Sequence, residues 1–142
     1  MLQLTDRLIL SPTDLVGFLA CGHRTRLEWE AARGLRPQAF DGDPVLDLVS
    51  RKGAEHEKRY LAELRAGGLE VVDLSNLGNK TIDESEAAEA ATVAAMRDAV
   101  DIVYQGVFFD GRWRGRPDFL RKVQTPSAFG DWSYEAIDTK LA

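Results

Sequence analysis

The sequence contains little cysteine and no long hydrophobic run, and each absence excludes a class of protein. Cys21 is the only cysteine, so no disulfide can form within the chain, as is typical of proteins from a reducing compartment. No stretch approaches the roughly 18 apolar residues of a membrane-spanning helix. The opening stretch MLQLTDRLILSP lacks the basic segment and apolar core of a secretory signal. We therefore expect a soluble, cytoplasmic protein.

The sequence also lacks an overall basic character. Its net charge of −5 argues against a nucleic-acid binder, because such proteins usually carry a basic surface. The charge is unevenly distributed, however. Residues 83–101 carry six acidic side chains and one basic, whereas residues 112–122 carry five basic and one acidic. The net charge therefore hides a local basic strip, formed by Arg112, Arg114, Arg116, Arg121 and Lys122.

The length and composition predict a single α/β domain over residues 1–142. Residues 1–99 are predicted to be mainly helical, because apolar residues recur there with a period near 3.6. Helices are expected over residues 12–32, 44–66 and 82–99, and a short strand over residues 69–74. Their predicted N-caps are Ser11, Asp43 and Thr81.

Two of these helices carry an apolar stripe that we expect to face the core. In the first helix the stripe includes Leu15, Phe18 and Leu19. In the second it runs from Val49 through Gly53, His56 and Tyr60 to Leu64. His56 is therefore expected to point inward, whereas Glu55 and Glu57 are expected to lie on the surface.

Residues 100–142 are predicted to form a three-strand antiparallel meander, because the apolar period changes there to two. The expected strands cover residues 101–111, 112–123 and 132–142. The first two are joined at Asp110–Gly111, a strong signal for a tight hairpin. The third follows the second through a longer turn that contains Ala128.

The second hairpin predicts a pair of opposed carboxylates. If it closes symmetrically about Ala128, Asp118 lies opposite Asp138, and Arg116 lies opposite Lys140. Two facing carboxylates repel unless a cation lies between them, and Mg²⁺ favours such oxygen ligands. A slip of one residue would place the two aspartates on opposite faces of the sheet.

Four segments together resemble a known family. The sequences RPD (116–118) and DTK (138–140) resemble the PD-(D/E)xK signature of restriction-endonuclease-like nucleases. The segment RKGAEHEKRYL (51–61) is similar to the G-x-x-H motif of RecB-family nucleases. The stretch SPTDLVGFLACGHRTRLEWE (11–30) resembles the opening helix of RecB-like nucleases related to CRISPR adaptation exonucleases and AddB-type repair nucleases.

This resemblance implies a restriction-endonuclease-like α/β core and a DNA-cleaving site. It implies that Asp118, Asp138, the backbone carbonyl of Thr139 and His56 hold a catalytic Mg²⁺ or Mn²⁺ ion. Lys140 would orient the attacking water and stabilise charge on the phosphate. The nucleic-acid contacts would come from Arg112, Arg114 and Arg116.

The sequence departs from the family at its end. The closing helix, which carries the family's Q-x-x-x-Y motif, and the final strand are missing. We therefore expect the N-terminal portion of a longer nuclease, with a naturally short relative as the alternative, and weak activity from these 142 residues alone. A helicase domain or subunit is one candidate partner. Cys21 could ligate an iron–sulfur cluster only in a longer parent chain, since such clusters need several cysteines.

Other interpretations of the same residues remain open. His56 could be a hydrogen-bonded core histidine, Lys140 could form a cross-strand ion pair with Asp118, and Cys21 could be a small buried hydrophobe. For the whole chain, the main alternative is a catalytically inactive nuclease-fold module that binds nucleic acid or a helicase partner. A third is an unrelated small α/β interaction domain whose D-x-K sequence is accidental.

Overall fold

The computed structural model describes residues 1–4, 6–37 and 44–139. Within these ranges the chain is a mixed α/β protein with four helices. The helices are α1 (Pro12–Ala20), α2 (Gly22–Ala32), α3 (Pro44–Ala66) and α4 (Ile82–Arg97). The strands are β1 (Leu2–Leu4), β2 (Arg7–Ile9), β3 (Val71–Asp73), β4 (Ile102–Tyr104), β5 (Phe108–Phe109), β6 (Arg114–Gly115), β7 (Phe119–Val123) and β8 (Ser133–Ile137).

Two of the predicted helix starts are confirmed by their capping geometry. At α1 the Asp14 carboxylate accepts from the Ser11 backbone N–H at 2.7 Å, and the Asp14 N–H donates to the Ser11 hydroxyl. At α4 Thr81 and Glu84 form the same reciprocal pair. Each box satisfies backbone donors that the first turn leaves without partners. The third predicted cap, Asp43, lies outside the described residues.

The predicted helix over residues 12–32 is wrong, because the chain breaks at Cys21. Cys21 is extended (φ −160°, ψ 102°); its N–H donates to the Gly17 carbonyl at the end of α1. The Cys21 sulfur then accepts the Arg24 N–H at 3.5 Å and so caps α2. Cysteine and the following Gly22 are both weak helix formers. Cysteine is not among the residues usually found at helix N-caps. The prediction used only the spacing of apolar residues, which does not show the break.

The predicted apolar stripe of the first helix is exposed, so the expectation that it faces the core is wrong. Leu15, Phe18 and Leu19 are 48%, 57% and 76% exposed. The stripe on α3 is also wrong at its N-terminal end, since Val49 is 54% exposed. None of the helices in the described ranges combines the length and apolar character needed to cross a membrane.

The central sheet has four strands in the order β3-β4-β7-β8. β3 is parallel to β4, and α4 connects them, whereas β4–β7 and β7–β8 are antiparallel. Between β7 and β8, Phe119 pairs with Ile137 and Val123 with Ser133. The predicted antiparallel meander and its register are therefore confirmed over these residues.

Two of the three predicted strands are interrupted. Residues 101–111 form β4 and β5, and residues 112–123 form β6 and β7, so that β5 and β6 make a separate ribbon. The chain leaves the main sheet at Gln105, whose φ is +55°. A hydrogen bond from the Val107 N–H to the Thr92 hydroxyl, at 2.9 Å, holds the loop that follows. The predicted tight turn at Asp110–Gly111 is present, with Gly111 at φ +87°.

The N-terminal hairpin β1–β2 was not predicted, because three-residue strands are too short to show a period. It joins the β5–β6 ribbon, since the Leu10 N–H donates to the Arg112 carbonyl and the Arg114 N–H donates to the Leu10 carbonyl, each at 2.8 Å.

Helices cover both faces of the central sheet. On one face Leu61 of α3 packs with Ile102, Tyr104 and Phe119, all of which are buried. The other face buries side chains of α4 against the alternate sheet residues, in a cluster of Leu74, Ala95, Met96, Val100, Val103 and Leu120. Burial on both faces fixes the register, because a slip of one residue would exchange the two sets of side chains.

Candidate functional site

The two aspartates of the predicted site come together at one end of the β7–β8 pair. Asp118 directly precedes β7, and Asp138 directly follows β8. Because Phe119 pairs with Ile137, the same register continues to place Asp118 opposite Asp138. Besides burial, the charge of Asp138 acts on Asp118 and raises its pKa. The structure therefore brings these two predicted ligands together as the symmetric hairpin required.

The surroundings of Asp118 raise the pKa of its carboxyl group. Burial raises its pKa above the usual value of 3.8, and the Thr139 backbone N–H opposes that shift. The negative charge of Glu57 and the hydrogen bond and charge of Asp138 raise the pKa of Asp118 further. Two adjacent carboxyl groups have the oxygen chemistry that binds a hard cation.

Thr139 orients Asp118 from the adjacent strand end. Its backbone N–H donates to Asp118 Oδ2 at 3.1 Å, and its hydroxyl donates to the same oxygen at 3.3 Å. The structure thus gives Thr139 a contact with the site through its donors, whereas its carbonyl as a metal ligand stays a prediction. Lys140, the predicted partner of the attacking water, lies outside the described residues.

The sequence predicted that Glu57 lies on the surface. That prediction is wrong. The side chain is half-buried and accepts a hydrogen bond from the Gln105 side-chain amide. Burial first, and then Glu57, raise the pKa of Tyr104 to about 12. Glu57 precedes the buried Leu61 by four residues and shares its helix face, which only the packing of α3 on the sheet reveals.

His56 is half-buried on α3, about 100° around the helix from Glu57. Among the residues that the structure describes, no three histidine, cysteine, aspartate or glutamate side chains converge closely enough to hold a metal ion. The role of His56 as a ligand therefore stays a prediction. Mg²⁺ is usually held by only one or two carboxylates, with waters and substrate phosphate completing its shell, so the Asp118–Asp138 pair fits as its protein donor set.

Two predicted nucleic-acid contacts are already engaged within the fold. Arg114 donates to the Asn79 carbonyl, and Arg116 donates to the Leu77 carbonyl at 2.7 Å. Both guanidinium groups are half-buried; burial lowers the pKa of Arg116, and the charge of Arg114 lowers it further. These two residues fix the loop before α4, whereas Arg112 is exposed.

The other two members of the basic strip also differ in whether they are bonded within the fold or exposed. Lys122 pairs with Asp101 at 2.9 Å and donates to the Ala99 carbonyl at 2.5 Å, whereas Arg121 is exposed. The strip is therefore divided between side chains that stabilise the fold and side chains that solvent can reach. Cys21 is exposed, which excludes its interpretation as a buried hydrophobe.

Comparison with known proteins gives this chain no relative. No family model matches it, and neither the curated proteins nor the solved structures provide a significant match. The resemblance to PD-(D/E)xK nucleases thus depends on the motifs of the chain itself.

Proposed function

We propose that this chain is a RecB-like, Mg²⁺- or Mn²⁺-dependent nuclease domain with a restriction-endonuclease-like core, which hydrolyses phosphodiester bonds in DNA. The observation that carries the proposal is the Asp118–Asp138 pair, held face to face at the ends of adjacent strands with a raised pKa at Asp118. Two carboxylates held close together destabilise the fold by repulsion. A bound cation would offset that repulsion, so the pair is explained by cation binding.

Each described residue of the site has a distinct task in this proposal. Asp118 and Asp138 hold the cation, and the Thr139 donors fix the orientation of Asp118. Glu57 adds a third negative charge beside the pair. When bound, the divalent cation would supply Lewis acidity and lower the pKa of the attacking water. Lys140, which follows Thr139 in the chain, is proposed to orient that water.

The first test measures cation binding and DNA cleavage on the same protein. Titration calorimetry with Mn²⁺ gives a readout that does not depend on activity, and single- and double-stranded DNA are assayed with Mg²⁺ and Mn²⁺. Asp118→Asn and Asp138→Asn are expected to reduce cleavage by on the order of 10²-fold or more, because each removes a charge that must hold the cation.

Glu135→Gln is the matched control. Glu135 is an exposed acid on β8 that pairs with Arg121 across the ladder, away from the site at the strand end, so its variant should bind Mn²⁺ and cleave as the unchanged chain does. Cleavage that survives both aspartate substitutions would place the activity elsewhere. Metal-free DNA binding without Mn²⁺ binding or cleavage would instead favour the inactive nucleic-acid-binding module.

A further inference from the structure

Gln105 adopts a backbone conformation that is unfavourable for its residue type. Its φ of +55° lies in the left-handed region, which only Ala99 shares among the non-glycine residues that the structure describes. Such a conformation is strained for a side chain with a Cβ atom. Glycine would adopt it freely, and nothing in the turn itself requires a glutamine.

Gln105 also connects the two halves of the site. Its backbone N–H donates to the Asp118 carbonyl at 2.9 Å, and its side-chain amide donates to the Glu57 carboxylate on α3. The left-handed turn lets one residue reach β7 with its backbone and α3 with its side chain.

We propose that Gln105 is a positioning residue, whose side-chain amide holds the Glu57 carboxylate beside the Asp118–Asp138 pair. The negative charge of Glu57 acts on Asp118, so repulsion between these two acids would otherwise turn the flexible Glu57 side chain toward solvent. Keeping it in place increases the attraction of the site for a divalent cation. This inference rests on the proposed function. It adds a residue that positions Glu57 without itself binding the cation.

Substitution by glycine separates positioning from structural support. Gln105→Gly relieves the backbone and deletes the amide, so the thermal midpoint should stay constant or rise, while Mn²⁺ affinity and cleavage rate fall about tenfold. Gln105→Asn should show the same loss of affinity, because asparagine tolerates the left-handed region but is one methylene too short.

Ala99→Gly is the matched control for the backbone effect. Ala99 has φ +57° and lies at the end of α4, so its glycine variant relieves the same kind of strain far from the aspartates. It should raise the midpoint and leave Mn²⁺ binding and cleavage unchanged.

A double-mutant cycle tests whether Gln105 acts through Glu57. Glu57→Gln combined with Gln105→Gly should bind Mn²⁺ no more weakly than Glu57→Gln alone, since the positioned group is already neutral. Full affinity in Gln105→Gly would overturn the positioning role and leave the proposed function standing, and so would parallel loss of stability and affinity. An unchanged chain that neither binds Mn²⁺ nor cleaves DNA would refute the proposed function, and the inference with it.

Discussion

At the scale of single residues, Asp118 is held where its charged form is disfavoured. Its folded-state pKa lies above 3.8 because of burial and two neighbouring acids, even though Thr139 donates to it. A folded state that binds the proton more tightly than the unfolded chain loses stability as the pH rises from 3.8 through the raised value. At neutral pH the aspartate therefore destabilises the fold.

This cost predicts that Asp118→Asn stabilises the protein at pH 7 while it reduces cation binding. The neutral amide keeps an acceptor for Thr139 and removes the like-charge contact with Asp138, a cross-strand effect of roughly 0.2–1 kcal/mol. Urea denaturation at pH 7 measures the change in the free energy of unfolding. A clearly less stable variant would show that the carboxylate serves the fold rather than a ligand.

The residues of the site were predictable to different degrees. Asp118 and Asp138 followed from strand parity and a symmetric turn, both of which are local properties of the sequence. Glu57 could not be chosen over His56 in this way, since adjacent helical positions differ by only about 100°. The decision depends on which side of α3 meets the sheet, and Leu61 packing on Phe119 makes that choice.

At the scale of elements, α3 divides into a half that packs on the sheet and a half whose apolar side chains are exposed. Leu61 is 6% exposed in the core, whereas Val49, on the predicted stripe, is 54% exposed. The amphipathic pattern continues through both halves, so the sequence predicts burial along the whole helix. The short strands β3, β4 and β7 contact only its C-terminal part.

The two halves should respond differently to the loss of side-chain volume. Leu61→Ala is expected to lower the free energy of unfolding by about 2–5 kcal/mol, since it leaves a cavity against the sheet. Val49→Ala should change it by no more than about 0.5 kcal/mol, the usual limit for an exposed site. Equal effects in chemical denaturation would show that Val49 is also part of the core in solution.

At the scale of the whole molecule, Asp101 links three strands of the sheet. Its carboxylate accepts the Glu70 N–H just before β3 at 3.0 Å, and it pairs with Lys122 of β7 at 2.9 Å. Asp101 itself directly precedes β4. The Glu70 N–H first, and then Lys122, lower the pKa of Asp101 below 3.8.

A lowered pKa contributes stability that is present above the unfolded value of 3.8 and is lost as the pH falls through the folded value. Asp101→Asn should therefore lower the free energy of unfolding at pH 7 by about 1 kcal/mol, a value reduced for its partial exposure. The difference should disappear well below pH 3.8. Denaturation curves across this pH range, beside the exposed turn variant Asp131→Asn, measure both effects; a difference independent of pH would contradict the charge-based origin.

The sequence by itself determined the features that depend on neighbouring residues. Ser11 and Thr81 cap helices because a side chain and a backbone N–H a few residues apart suffice. The observed β7–β8 register agrees with a symmetric turn, but a slip of one residue was excluded only by burial on both faces of the sheet. Only the tertiary structure decided that the charge of Glu57 acts on Asp118, that Arg114 and Arg116 hold a loop, and that Gln105 bonds both Glu57 of α3 and Asp118 just before β7. These contacts join residues distant in sequence, and the packing of whole helices on the sheet fixes their geometry.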